Sequence, residues 1–96
     1  LLHTVGLKFR DYEPTSIILQ FHSSQKPYLV SLKLHHSQKE VVVGKEGFYT
    51  VKLFVSYNFE LMQQLLKYGS LVQVLEPSFV KLEIKQELEK AFIAYL

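Results

Sequence analysis

Cysteine and tryptophan are absent from this 96-residue sequence, which also contains a single methionine and a single aspartate. Without cysteine, neither disulfides nor a cysteine-ligated zinc ion can hold the fold together. Apolar runs are short as well, and none approaches the roughly 20 residues that a membrane-spanning helix needs. We therefore expect a cytoplasmic protein that makes no contact with a membrane.

An excess of either charge is also lacking, because 11 lysine and arginine residues stand against 9 aspartate and glutamate residues. The basic residues are scattered, whereas a nucleic-acid-binding domain usually concentrates them on one face. The 48% hydrophobic and 14% aromatic content predicts one folded domain. Since the chain begins at Leu1 rather than at methionine, we expect it to be a piece of a longer protein.

The most regular pattern is a helix with a start and a stop signal. Leu61, Leu65 and Tyr68 recur at helical spacing. Asn58 stands at the N-cap position, and Gly69 stands where a left-handed C-cap is expected. Gly69 is therefore predicted to have a structural role.

The other predicted elements alternate between strands and helices. In chain order they are a strand at Thr15–His22, a short helix from Pro27 towards Leu34, strands at Lys39–Gly44 and Phe48–Tyr57, the helix just described, a strand at Val72–Val74 ended by the structural residue Pro77, and a long helix at Ser78–Leu96. This order predicts an α+β fold, a ferredoxin-like βαββαβ sandwich with an additional C-terminal helix.

The two faces of the predicted sheet differ in polarity. The face predicted to meet the helices carries Ile17, Leu19, Phe21, Tyr49, Val51, Leu53, Val55, Val72 and Val74. The opposite face, which we call the open face, carries Ile18, Gln20, His22, Val42, Phe48, Thr50, Lys52, Phe54 and Gln73. It is too apolar to be left to water, so a partner, a ligand or the last helix is expected to cover it.

The expected partner is a second copy of the chain. The interface candidates are Ile18, Val42, Phe48, Lys52 and Phe54 on the open face, together with Leu82 and Ile93 on the last helix. The main buried stripe of that helix is predicted at Ile84, Leu88, Ala91 and Tyr95.

Three segments in this order resemble one known family. They are Leu34-His35-His36-Ser37-Gln38 after the first helix, the Tyr68-Gly69 helix end, and Val72–Pro77 leading into a charged helix. Together they are similar to the C-terminal extension, or WCX domain, that follows the WYL domain in bacterial transcriptional regulators. The stretch from Val5-Gly6-Leu7 to Glu13-Pro14 resembles the exit from that WYL domain.

The resemblance implies functions for parts that this chain does not contain. Such regulators carry an N-terminal winged helix-turn-helix that binds duplex DNA, and then a WYL domain that senses a ligand. A nucleotide or a single-stranded nucleic acid is the implied effector, and the extension helps to build the dimer and contributes to the effector response. We therefore expect Leu1–Pro14 to be a linker or edge strand belonging to an upstream WYL domain, with residues 15–96 as the extension domain. DNA would be bound only through the N-terminal domain.

The densest polar cluster is the turn His35-His36-Ser37-Gln38. These four residues are candidates for effector contact. They can equally form a capped turn whose side chains bind backbone groups between helix and strand. Two histidines can also ligate a metal, although no third ligand is near in sequence.

A catalytic constellation is not evident. Serines occur near histidines at Ser23, Ser24 and Ser37, but no carboxylate is positioned by a motif to orient a base, and Asp11 is the only aspartate. A glycine-rich phosphate loop is also missing from the sequence. The prediction is a non-catalytic protein without a metal or another cofactor.

Two other classes of binding protein stay open at this point. One is a freestanding ferredoxin-like module that binds a small molecule. The other is an RNA-recognition module, because Gly47-Phe48-Tyr49-Thr50-Val51-Lys52-Leu53 is similar to the signature of such modules. In that segment Thr50 and Leu53 occupy positions where stacking aromatic residues are expected, so two of the rings of that signature are missing.

Overall fold

The computed structural model describes residues 13–96, so most of the predicted segment Leu1–Pro14 lies outside the described residues. Seven elements follow in chain order: β1 at Thr15–His22, α1 at Lys26–Ser31, β2 at Lys39–Val41, β3 at Phe48–Val55, α2 at Phe59–Tyr68, β4 at Val72–Glu76 and α3 at Ser78–Ile93. Short 3-10 turns at Ser23–Gln25 and Gly69–Leu71 precede α1 and β4. The predicted order of elements is confirmed for the described part of the chain.

The four strands form one antiparallel sheet in the order β2-β3-β1-β4. The central pair, β1 and β3, is in register along its whole length, from Thr15 opposite Val55 to His22 opposite Phe48. The pairing of β1 with β4 has an irregularity at Ile18/Leu19, where the register shifts. The fold is thus α+β, with three α-helices in the described residues, one of them C-terminal.

The core lies between the sheet and the helices. Alternate residues of β1 and β3 are fully buried, as period-2 strands with one covered face require. The helices contribute Leu29, Leu61, Leu65, Val80 and Ile84 to the same cluster. Since each fully buried side chain of this size stabilises the fold by about 1.5–3 kcal/mol, this layer is the main stabilising feature. The predicted inner face is confirmed, with Val55 and Val72 only half-buried.

Helix α2 begins and ends close to the predicted residues. The Asn58 Oδ1 accepts a hydrogen bond of 2.8 Å from the Leu61 N–H, which confirms the N-cap. Gly69 has φ 56° and ψ −124°, so φ is positive but the residue is outside the left-handed helical region. The prediction of a left-handed helical conformation at Gly69 is therefore wrong, because its ψ differs from the value of that conformation. The requirement for glycine is retained, because this combination of angles is strained for any residue with a Cβ.

Helix α1 ends at Ser31, before the predicted end near Leu34, and strand β2 is also shorter than predicted. The strand stops at Val41 instead of Gly44, and Val42 is 86% exposed in the loop that follows. Gly44 and Gly47 in this loop have φ values of 68° and 86°, a backbone conformation that favours glycine. The β-branched valines favour a strand, but without backbone partners they do not form one.

The last helix is buried only in its first half. Val80 and Ile84 enter the core, and the ring of Phe79 meets Tyr57 edge-to-face at 6.0 Å. The prediction that Leu88, Ala91 and Tyr95 continue the buried stripe is wrong, since the side chains of all three are exposed. The helix also ends at Ile93 and not at Leu96. Only its N-terminal turns lie against β4 and α2, so the remaining turns have nothing to pack on among residues 13–96.

No helix in the described part of the chain is long and apolar enough to cross a membrane.

Candidate functional site

In the turn at His35–Gln38, the side chain of Ser37 takes the place of a further strand residue beside β3. In the β2–β3 register Lys39 is opposite Lys52, so two residues earlier Ser37 falls opposite Phe54. The Ser37 Oγ accepts a hydrogen bond from the Phe54 N–H at 2.8 Å and donates to the Phe54 carbonyl at 3.2 Å. A hydroxyl thus satisfies both backbone groups that a further strand residue would otherwise pair with.

Gln38 ties the same turn to the end of α1. Its Oε1 accepts from the Leu34 N–H at 2.9 Å, and its Nε2 donates to the Leu29 carbonyl at 3.1 Å. The side chain is only 5% exposed, so both bonds are formed largely out of water. Together with Ser37, this shows a turn whose side chains bind backbone groups between helix and strand.

The two histidines retain groups that a ligand can reach. The His35 Nδ1 lies 2.8 Å from the Ser37 Oγ and 3.2 Å from the Ser37 N, so this nitrogen is engaged within the turn and Nε2 is the ring nitrogen left for a ligand. The rings of His35 and His36 lie 4.1 Å apart between centroids. Among residues 13–96 no three histidine, cysteine, aspartate or glutamate side chains converge in a way that would hold a metal ion. Effector contact at this turn stays a prediction. Because Ser37 and Gln38 are bonded to backbone groups, the groups available for such contact are chiefly the rings of His35 and His36.

The side chains at the centre of the open face are buried. Gln20 and Thr50 are cross-strand neighbours there, and both are buried, with Thr50 only 2% exposed. They lie on the predicted face of the sheet, and their side chains are not left to solvent. Thr50 Oγ1 has no hydrogen-bond partner within the described residues.

Exposed apolar side chains of the open face lie towards the ends of β3. Phe48 and Phe54 are both exposed, and the Lys45 Nζ lies 4.9 Å from the centroid of the Phe48 ring. Lys52 is exposed between them, and Ile18 is half-buried on β1. Val42, predicted for the same face, lies in the loop after β2. The candidates are thus dispersed over two ends of the sheet.

The exposed end of α3 presents the larger apolar surface. The predicted candidates Leu82 and Ile93 are both exposed, Leu82 in the first half of the helix and Ile93 at its end, where Phe92 is 66% exposed. Sequence reasoning missed Phe92 and assigned Leu88 to the core. Their spacing of four residues places both on one side of the helix, which was the available signal.

A groove that no sequence pattern indicated lies between the end of α1 and α2. Its volume is about 550 Å³, and residues from two separate parts of the chain line it: Gln25, Leu32, Lys33 and Leu34 on one side, and Gln64, Lys67, Tyr68 and Leu71 on the other. The Tyr68 ring is held from below by an edge-to-face contact with Phe21 at 5.1 Å. We call this the lysine groove.

Tyr49 is the residue in the described part of the chain with a clearly shifted pKa. Burial raises the pKa of its hydroxyl, and the nearby Glu40 carboxylate raises it further. The phenol is therefore neutral at physiological pH, and its ring packs in the core. The Lys26 Nζ lies 5.4 Å from the centroid of this ring.

These features define a class of protein: a small α+β domain with exposed apolar side chains and one groove. The model of the WCX domain family matches residues 13–92, which is most of the chain, so the chain belongs to the WCX family. WCX domains are found in WYL-type transcriptional regulators and are typical of regulators rather than of enzymes. No curated protein is similar enough to the chain to count as a match.

Proposed function

We propose that this chain is the C-terminal dimerisation and effector-response domain of a WYL-type transcriptional regulator and has no catalytic activity. In this proposal residues 15–96 form the extension domain, and Leu1–Pro14 connects it to an upstream WYL domain. DNA is bound through a helix-turn-helix further upstream, in the cytoplasm. Membership of the WCX family supports the regulator context.

The ferredoxin-like class is part of the same proposal. The strand order β2-β3-β1-β4 supports it, because β3 separates β1 from β2 and is antiparallel to both. That arrangement is the one produced by a split βαβ unit.

The observation that carries dimerisation is the exposed apolar end of α3. Leu88, Phe92 and Ile93 are all large, and more than 40% of each side chain is in contact with solvent. Monomeric proteins rarely leave a contiguous patch of such residues uncovered. A helix face of this kind can pair with its own copy across a two-fold axis, since the same patch then serves both subunits.

The effector response follows from how the subunits are held. A ligand that favours one arrangement of the dimer shifts the population towards it, and the separation of the two DNA-binding domains changes with it. The proposed effector is a nucleotide or a single-stranded nucleic acid. The Nε2 of His35 and the exposed ring of His36 are the groups that support effector contact at the turn.

The solution mass of the chain tests the dimer. We expect light scattering across a dilution series to give a dimer that dissociates on dilution. Phe92→Glu should give a monomer, because a carboxylate buried in an apolar contact loses its hydration. Gln86→Glu adds the same charge to an exposed position of the same helix and should leave the dimer intact.

Phe54→Glu separates the two candidate surfaces. If it abolishes the dimer and Phe92→Glu does not, the interface lies on the open face of the sheet and not on α3. A monomer at every concentration of the unaltered chain would contradict dimerisation by this domain alone.

A further inference from the structure

The lysine groove has the dimensions of a small-molecule site. At about 550 Å³ it is within the range of roughly 300–1,000 Å³ that such sites occupy. One wall comes from the residues that follow α1 and from Gln25 in the 3-10 turn before it, and the other comes from the last turns of α2 and the 3-10 turn after it. It adjoins the turn at His35–Gln38 through Leu34 and includes no residue of α3.

The charge of the groove is of one sign. Lys33 and Lys67 both line it, and none of its eight lining residues is acidic. Neither lysine forms an ion pair within the described part of the chain. Two lysines that line one concavity without a carboxylate give it a positive potential, which favours the binding of an anion.

The remaining lining residues add hydrogen-bonding groups and apolar surface. The Tyr68 hydroxyl and the Gln64 amide have no protein hydrogen-bond partner among residues 13–96. Leu32, Leu34 and Leu71 provide the apolar part. Polar groups that lie beside apolar surface in one concavity can orient one end of an organic ligand.

We propose that the lysine groove binds a small organic anion, in which a carboxylate or phosphate group meets Lys33 and Lys67 and an apolar body rests on the leucines. The oxyanion is the shared chemistry, because lysine binds both groups as a point charge. The proposal is independent of dimerisation, since ligand binding and solution mass are measured separately.

The test is a titration of the 96-residue chain followed by amide chemical shifts in NMR spectra. The probes are phenyl phosphate and benzoate, with phenol as the neutral analogue and inorganic phosphate as the anion without an apolar body. We expect phenyl phosphate or benzoate to shift the amides of residues 32–34 and 64–71, and to bind more tightly than phenol and inorganic phosphate do. Whichever of the two probes binds more tightly identifies the ligand as a phosphate or a carboxylate.

Matched charge variants separate a site from general attraction. Lys33→Gln and Lys67→Gln should each weaken binding of the better probe by about three- to tenfold, the loss of one charge-assisted contact. Lys85→Gln removes the same charge from an exposed position on α3 and should change the affinity by less than about twofold.

Four results would overturn the proposal. The first is equal weakening by Lys85→Gln and Lys67→Gln. The second is phenol binding as tightly as the anions, and the third is the absence of groove shifts at millimolar probe. Tighter binding of a hexaglutamate peptide than of either small anion would also reject it, since the groove would then be a site for an acidic protein segment.

Discussion

Gln38 connects the end of α1 to the edge of the sheet, and its replacement by methionine tests whether that connection stabilises the fold. Methionine has a similar length and fills the same space, so the change removes hydrogen bonds without opening a large cavity. Both bonds of the Gln38 side chain are lost: the one accepted from the Leu34 N–H and the one donated to the Leu29 carbonyl.

The expected cost follows from the burial of those two backbone groups. The Leu29 carbonyl is buried, and leaving such a group unpaired costs about 1–3 kcal/mol. The Leu34 N–H is only partly buried, so water can replace part of its bond and its loss costs about 0.5–1 kcal/mol. The apolar methionine side chain offsets some of this, which leaves a net loss of about 2 kcal/mol in the free energy of unfolding. For a domain of this size that corresponds to a fall in Tm of roughly 8–16 °C.

Equilibrium unfolding in urea, followed by far-UV circular dichroism, measures this loss directly. Gln86→Met is the matched control, because Gln86 is exposed on α3 and its side chain forms no hydrogen bond within the described residues. We expect the control to change the free energy of unfolding by less than about 0.5 kcal/mol. If Gln38→Met and Gln86→Met are equally stable, the two hydrogen bonds of Gln38 contribute nothing and the reasoning is refuted.

Two further changes test the ends of α2. Asn58→Ala removes the oxygen that caps the Leu61 N–H and should lower the free energy of unfolding by about 1 kcal/mol; urea unfolding with Asn58→Ser as a restoring control checks this. Gly69→Val should cost at least about 1–3 kcal/mol, because a β-branched residue is strained at φ 56° although no atom lies within 4 Å of the added Cβ. An unchanged Tm for Gly69→Val would mean that the residue does not hold this conformation.

The central strands and α2 could be predicted because their signals are local. Alternating residues such as Ile17 and Leu19 indicate one covered face whatever the rest of the chain does. Asn58 likewise caps a helix that begins beside it. In such elements the sequence within a few residues contains the physical cause of the structure.

The burial of α3 could not be predicted in the same way. Apolar residues occupy more than one side of this helix, since Val80 and Ile84 are buried while Leu82 and Phe92 are exposed. Several stripes therefore fit the sequence equally well. Which one is buried depends on how the helix lies against β4 and α2, and that is a property of the tertiary structure.

The candidate site shows the same division. The composition of the turn indicated that its side chains could bind backbone groups, and Ser37 and Gln38 do so. The partner of Ser37 is Phe54, which is 17 residues away and is brought close only by the β2–β3 register. The lysine groove likewise joins Lys33 and Lys67, whose proximity no local pattern contains.

The division of α3 into a buried and an exposed half makes the helix a lever arm. Its fulcrum is at Val80 and Ile84, where the core fixes its direction. Ile93 is nine residues further on, roughly 13 Å along the axis of an α-helix. A tilt of about ten degrees at the fulcrum moves that end by roughly 2 Å, because displacement grows with distance along a rigid helix. Small repacking beside β4 is thereby enlarged where a second subunit would be held.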